Sequence, residues 1–321
     1  MNIAIIVPAL NEEGSIASVI EDFHRELPQA GIFVIDNAST DGTAKIARET
    51  FLRIGCPGGL MSETRRGKAN AIRKAFREIE ADIFVMVDAD STYPAAQIHE
   101  LIAPVAEGRA DMVVGDRHSL GAYESENKRP FHLFGNRLVN GLINTLFRAR
   151  LGDIMSGYRA FSRVFVKNYP VMCQGFQLET EMSLHALHKR FAIVEIPVRY
   201  QDRPPNSCSK LNTFRDGLRV LLCIANIFRS YKPLTFFGSI GILFFSSGLI
   251  FGAPVLLEFY QTHYISHVPL AILATGQMIL SMTSLAIGII LNTVITLDNA
   301  KYELLLLNSL SGKGHSGDDR S

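Results

Sequence analysis

Between Pro233 and Leu297 the chain carries one Asp, Glu, Lys or Arg, the single acid Glu258. A hydrocarbon layer needs roughly 20 apolar helical residues to cross it, and Leu234–Leu257 and Leu270–Leu297 both exceed that length without a charge. The alternative, a buried helix of a soluble domain, rarely runs so long. Two membrane spans are therefore predicted, joined by a short link over Glu258–Pro269, with Pro254 placed to kink the first. The link holds no Lys or Arg, whereas Arg215, Arg219, Arg229 and Lys232 precede the first span and Lys301 follows the second. Positive flanks favour the cytoplasmic side. The reading is a hairpin in the inner (cytoplasmic) membrane with both ends in the cytoplasm.

This composition break divides the chain. Residues 1–211 carry the mixed sequence of a folded domain, 212–232 a juxtamembrane segment, 233–300 the hairpin and 301–321 a cytoplasmic tail. In the juxtamembrane segment Phe214, Leu218, Leu221, Leu222, Ala225 and Phe228 form an apolar stripe beside Arg215 and Arg219. An amphipathic helix of this kind either lies among lipid headgroups or packs on its own domain. Gly238, Gly241 and Gly248 in the first span, with Gly276 and Gly288 in the second, would allow close packing within or between chains, so a homo-oligomer stays open.

The formal charge of +1, from 32 basic and 31 acidic residues, gives no basic footprint for nucleic acid. Any phosphate ligand must be held locally. Cys56, Cys173, Cys208 and Cys223 lie far apart, which suggests neither a zinc knuckle nor a disulfide framework. The first apolar run ends at Pro8, too early for a secretion signal, and the folded domain is expected in the cytoplasm.

That domain reads as alternating strands and helices. Ile3–Val7 is a β-branched run of the kind buried on both faces of a parallel sheet. Apolar residues at helical spacing follow over Glu12–Leu27, then a strand over Ile32–Ile35, a turn cluster over Asp36–Thr43 and helices near Thr43–Phe51 and Lys68–Ile79. Further strands are predicted at Ile83–Val87, Met112–Val114 and Ile193–Val198, with helices over Asn136–Phe147 and Met182–His188. In open α/β sheets ligands bind beyond the carboxyl ends of the strands, so Asn11, Asp36 and Asp88 are expected on one edge. Asp88-Ala89-Asp90 closes the strongest strand and puts two carboxylates on a tight turn, oxygen donors that suit Mg2+ or Mn2+ and a diphosphate. The histidines show no third ligand to accompany His185 and His188.

Four ordered segments carry a resemblance to family 2 glycosyltransferases: Ile5-Ile6-Val7-Pro8-Ala9-Leu10-Asn11-Glu12, Asp36 through Thr43, Arg66-Gly67-Lys68, and Asp88-Ala89-Asp90. The resemblance implies a GT-A fold, a Rossmann-like, mostly parallel sheet. It further implies a nucleotide-sugar site over Pro8, Ala9, Asn11, Glu12, Asp36, Asn37, Lys68, Asp88 and Ala89, with Asp90 and Asp88 at the metal. Asn37 stands where many relatives carry a second Asp. Within the family the chain resembles dolichol-phosphate mannose synthases and bacterial polyprenyl-phosphate glucosyltransferases. The grounds are Val114-Gly115-Asp116-Arg117, Ser156 through Phe161, Leu178-Glu179-Thr180-Glu181, Ser209-Lys210-Leu211 and the hairpin.

The implied reaction is inverting transfer of one sugar from a UDP- or GDP-hexose to a polyprenyl phosphate. Phosphoryl groups have a second pKa of about 6, so this acceptor arrives as an anion and needs placement rather than a strong base. Arg117, Arg137, Arg203 and Lys210 are candidates to hold its phosphate, and Arg117, Arg203 and Lys210 with Asp90 form the expected catalytic set. Glu179 and Glu181 either line the acceptor side or cap the helix that follows. Three other readings compete with this one. A processive polysaccharide synthase would carry Gln-x-x-Arg-Trp, and the chain has no tryptophan. A dinucleotide oxidoreductase would show GxGxxG after the first strand. An inactive scaffold, or a transferase with another acceptor, is left open.

Overall fold

The computed structural model describes residues 1–119, 140–172, 178–200 and 225–311, the last with side chains through 308. The chain forms two compact units, Met1–Thr213 and Phe214–Ser321.

In the first unit β1 (Ile3–Ala9), β2 (Gly31–Asp36), β3 (Gly58–Ser62), β4 (Ile83–Met86), β5 (Met112–Asp116), β6 (Arg159–Ser162) and β7 (Ile193–Pro197) make one sheet in the order β3-β2-β1-β4-β6-β5-β7. All run the same way except β6, which is antiparallel to β4 and β5. Alternate residues of β1 bury on opposite faces. Ile5 and Val7 join α1 (Ile16–Glu26), α2 (Thr43–Ile54) and α4 (Ile98–Ala106), while Ala4 and Ile6 join α3 (Lys68–Glu78), α5 (Arg163–Asn168) and α6 (Leu178–His188). With both faces covered, the strands read as continuous apolar runs.

Several boundaries moved from their predicted places. The first helix starts at Ile16 rather than Glu12, because 12–15 form a turn in which Ser15 N–H and Ile16 N–H both donate to the Glu12 carbonyl, at 3.2 and 3.0 Å. The sixth begins at Leu178, so Glu179 and Glu181 lie inside its first turn. Neither β3 nor α4 was foreseen. Strand β3 contains Gly58, with φ of 111° and a site for Cβ only 1.9 Å from the Ile32 carbonyl oxygen, so any other residue would collide with β2. A helical stretch covers 140–147, and the start of the predicted 136–147 helix lies outside the described residues.

In the second unit α7 (Pro233–Thr262) and α8 (Val268–Ser311) form a hairpin. Both are long and apolar enough to cross a membrane, with mean hydropathies of 2.1 and 2.0 and most of their surface exposed. Helix α7 continues through Pro254, and the link contracts to 263–267. There His263 takes the left-handed conformation, and Glu258 accepts from Ser266 N–H at 3.2 Å and pairs with His267 Nδ1 at 3.0 Å. Gly241 and Gly248 face Ser281 and Ala274 of α8, Gly288 faces Phe237, and the Ser284 hydroxyl donates to the Phe237 carbonyl at 2.8 Å. Gly238 and Gly276 face open space. Of the juxtamembrane segment only 225–232 is described, and it is helical over 225–231.

Candidate functional site

Because β1, β2, β4 and β5 are parallel, their carboxyl ends share one edge. The reversed β6 brings its amino end to the same edge, with Arg159 opposite both Met86 and Val114. Five connecting segments meet there.

The first two are clasped. Asn11, at φ of 57°, donates its N–H to the Ser39 hydroxyl at 3.0 Å, and its Oδ1 accepts the Thr40 N–H at 2.8 Å. Glu12 N–H donates to Thr43 Oγ1 at 2.8 Å, and Gly42 N–H donates to Glu13 Oε2 at 2.7 Å. Asp36 closes β2, nearly buried, and accepts from Ser39 N–H at 3.3 Å. Pro8 and Ala9 lie in the last residues of β1, with Ala9 buried.

Asn37 has a structural task. Its Nδ2 donates to the Arg65 carbonyl at 2.7 Å and the Glu63 carbonyl at 3.3 Å, and its Oδ1 accepts the Gly67 N–H at 2.6 Å. An amide can serve both donors and acceptors here, which a carboxylate cannot. The same segment is braced by Glu63, whose carboxylate takes the Arg65 N–H, Nε and Nη2 at 2.8, 2.9 and 2.8 Å. These Arg65 hydrogen bonds hold the Glu63 pKa down at about 2.

Lys68, the first residue of α3, bridges two carboxylates: it bonds Asp88 closely and Glu179 Oε1 at 2.6 Å. Burial opposes its charge, but Asp88 and Glu179 outweigh that and raise its pKa. Asp88 also abuts Gly157, where an added Cβ would lie 2.3 Å from Asp88 Oδ2. Gly157 N–H donates to the Tyr93 hydroxyl at 3.0 Å, and burial pushes that phenol up so that it stays neutral. Asp90 is buried and accepts from the Thr92 hydroxyl at 2.6 Å, while Ser15 ties the turn by donating to the Ala89 carbonyl at 2.6 Å.

Across the edge, Arg117 follows β5 and is nearly buried. Its Nε and Nη2 donate to Asp153 Oδ2 and Oδ1 at 2.6 and 2.9 Å, and its guanidinium carbon stands 5.6 Å over the Tyr200 ring. Burial alone would raise the Asp153 pKa, yet the hydrogen bonds and charge of Arg117 hold it below the usual range. Glu195 of β7 accepts the N–H groups of Gly152 and Asp153 at 2.8–3.0 Å. Glu181 accepts the Met172 N–H at 3.1 Å, which joins the residues after α5 to the first turn of α6. Arg137, Arg203 and Lys210 lie outside the described residues.

The edge thus gathers Asn11, Asp36, Lys68, Asp88, Asp90, Arg117 and Glu179. Sequence reasoning gave no role to Glu63, Tyr93, Asp153 or Arg159; the contacts of Tyr93 with Gly157 and of Asp153 with Arg117 span 64 and 36 residues. Among the described residues no three His, Cys, Asp or Glu side chains are grouped to hold a metal. Asp88 and Asp90 supply two carboxylates, and Mg2+ or Mn2+ bound through one or two carboxylates takes its remaining ligands from substrate phosphates and water. The donor set fits such a cation.

The family model described as glycosyl transferase family 2 matches residues 4–169. The chain is 30% identical to glycosyltransferase AglJ of Haloferax volcanii over 92% of its own length and 94% of that protein's. It is 26% identical to a dolichyl-phosphate hexose transferase of the same organism, over 68% of this chain and 90% of that one. Among solved structures it resembles glucosyl-3-phosphoglycerate synthase of Mycobacterium tuberculosis, crystallised with Mn2+, UDP-glucose and glycerol 3-phosphate. The TM-score is 0.53 at 22% identity, covering 71% of this chain and 79% of that one, a likeness of fold. A sheet of this order, carboxylates at the end of β4 and a match through both halves of the site place the chain in glycosyl transferase family 2, as a glycosyltransferase with a GT-A fold.

Proposed function

We propose that the chain moves one sugar, with inversion, from a UDP- or GDP-sugar to the phosphate of a polyprenyl lipid at the cytoplasmic face of a membrane. The observation that carries this reading is the division of the site: carboxylates with a bridging lysine on one side, Asp88, Asp90 and Lys68, and the buried cation Arg117 on the other. The clasped segments around Asn11 and Asp36 hold base and ribose. Lys68 lies where a diphosphate would draw its ammonium from Asp88. A Mg2+ or Mn2+ ion held by Asp88 and Asp90 would offset charge on the departing diphosphate.

Arg117, oriented by Asp153 along its Nε and Nη2 edge, is the cation assigned to the acceptor phosphate. One phosphate oxygen attacks the anomeric carbon from the face opposite the diphosphate, the new bond forms as the old one breaks, and no proton need be removed. Support for a lipid acceptor comes from the similarity to a dolichyl-phosphate hexose transferase and from two helices able to cross a membrane. Lys232 before α7 and Lys301 within α8, with no Lys or Arg in the link between the helices, favour a cytoplasmic site.

The test is direct. Purified protein is incubated with a panel of UDP- and GDP-sugars, undecaprenyl phosphate and Mg2+ or Mn2+, and lipid products are resolved by mass. A sugar-phosphate lipid is expected with one donor class. Transfer only to protein or to free sugar would refute the lipid acceptor, and undiminished transfer by Asp90→Ala would refute the metal-centred site.

A further inference from the structure

Among the described residues Arg159 is the largest fully buried side chain, at 0% exposure. A cation so placed is costly unless every donor is used. Here Nη2 donates to the Ile154 carbonyl at 2.5 Å, Nε to the Ser156 carbonyl at 2.8 Å and Nη1 to the Ser183 hydroxyl at 2.9 Å. Ile154 and Ser156 belong to a segment outside any helix or strand, so their carbonyls need partners from elsewhere. The Ser183 hydroxyl in turn donates to the Glu179 carbonyl at 3.1 Å.

These contacts have a pattern. Ile154 follows Asp153, the carboxylate that grips Arg117, and Ser156 precedes Gly157, which abuts Asp88. Ser183 sits one turn after Glu179, the second partner of Lys68. One guanidinium therefore ties the mounts of Arg117, of the Asp88 contact and of Glu179 to β6. It makes no hydrogen bond to the segments 9–15, 37–42 or 63–67.

We propose that Arg159 is a positioning residue that fixes Arg117 against the Asp88–Lys68–Glu179 cluster, through the 153–157 segment and the first turn of α6, leaving the clasped segments 9–15 and 37–42 independent. The proposal rests on the reading above in taking Arg117 as the acceptor-side cation. Lysine at 159 would keep the charge and lose the fork, which alone reaches two carbonyls and a hydroxyl together.

The experiment uses full-length protein in detergent. Hydrogen exchange of Arg159→Lys is compared with wild type without any substrate. Faster exchange is expected in peptides covering 152–157 and the first turn of α6, with 9–15 and 37–42 unchanged. With the nucleotide sugar that the wild type uses, kcat should fall on the order of 10²-fold.

Exchange that quickens throughout the sheet, or a variant with wild-type exchange and kcat, overturns the proposal. If Arg159→Lys does not accumulate, Ser183→Ala replaces it, with exchange expected to quicken in the first turn of α6 and wild-type exchange there counting against the idea. Should the wild type fail to glycosylate undecaprenyl phosphate, the acceptor reading falls and the exchange pattern still decides the role of Arg159.

Discussion

Gly157 lacks a side chain where Asp88 occupies the space one would take. Gly157→Ala must push that carboxylate aside, against a strand end that is fully packed. A loss of ~1–3 kcal/mol is expected from the overlap, together with a fall in kcat on the order of 10²-fold from displacement at the reacting centre. Thermal melting and steady-state kinetics on the one variant read both. Asp153→Asn removes the carboxylate charge that grips the buried Arg117, and one partner lost from a buried pair costs ~3–5 kcal/mol, visible as a lower Tm. Glu63 gives a pH test. Its folded pKa lies at about 2 against an ordinary 4.5, so its contribution is complete above that ordinary value and drains away as pH falls toward the folded one. The Tm gap between wild type and Glu63→Gln should therefore shrink over that interval, and a constant gap would show that the Arg65 pairing does not matter. Asp88 and Asp90 were legible because chemistry forces two acids onto one turn. Asp153 was not, since its partner stands 36 residues away and a lone acid gives no pattern.

Among the elements, strands were readable where burial on both faces enforced apolar runs, as in β1 and β4. Strand β3, Gly-Gly-Leu-Met-Ser, hides because Gly58 serves close approach to β2 rather than strand propensity. Strand β6 hides because its first residue is an arginine, read from sequence as part of a motif. The clasp between the segments after β1 and β2 depends on Asn11 in the left-handed region, where Asn is tolerated and Ala is strained by roughly 1–2 kcal/mol. Asn11→Ala also removes the acceptor for Thr40. Weaker nucleotide binding is expected, with the affinity for UDP or GDP measured by calorimetry, and unaltered affinity would exclude the clasp from the nucleotide site.

For the whole molecule, a single charge over 65 positions made the hairpin the easiest feature to foresee, though its link was drawn too long and its second helix, which runs to Ser311, too short. Helix pairing inside a bilayer depends on small residues, and the two spans use Gly241 and Gly248 for it while Gly238 faces outward. Gly241→Leu should lower the melting temperature of the detergent-solubilised protein, and Gly238→Leu should leave it unchanged. Equal effects would mean that the α7–α8 seam lies elsewhere. In the first unit, the reversal of β6 means that the excursion from Asp116 to Arg159 leaves and re-enters the sheet on a single edge. Such an excursion can lengthen, shorten or change composition without rethreading a strand. On the function proposed above, a lineage could therefore exchange the molecule that receives the sugar by editing one insertion, while the segments after β1 and β2 are inherited intact.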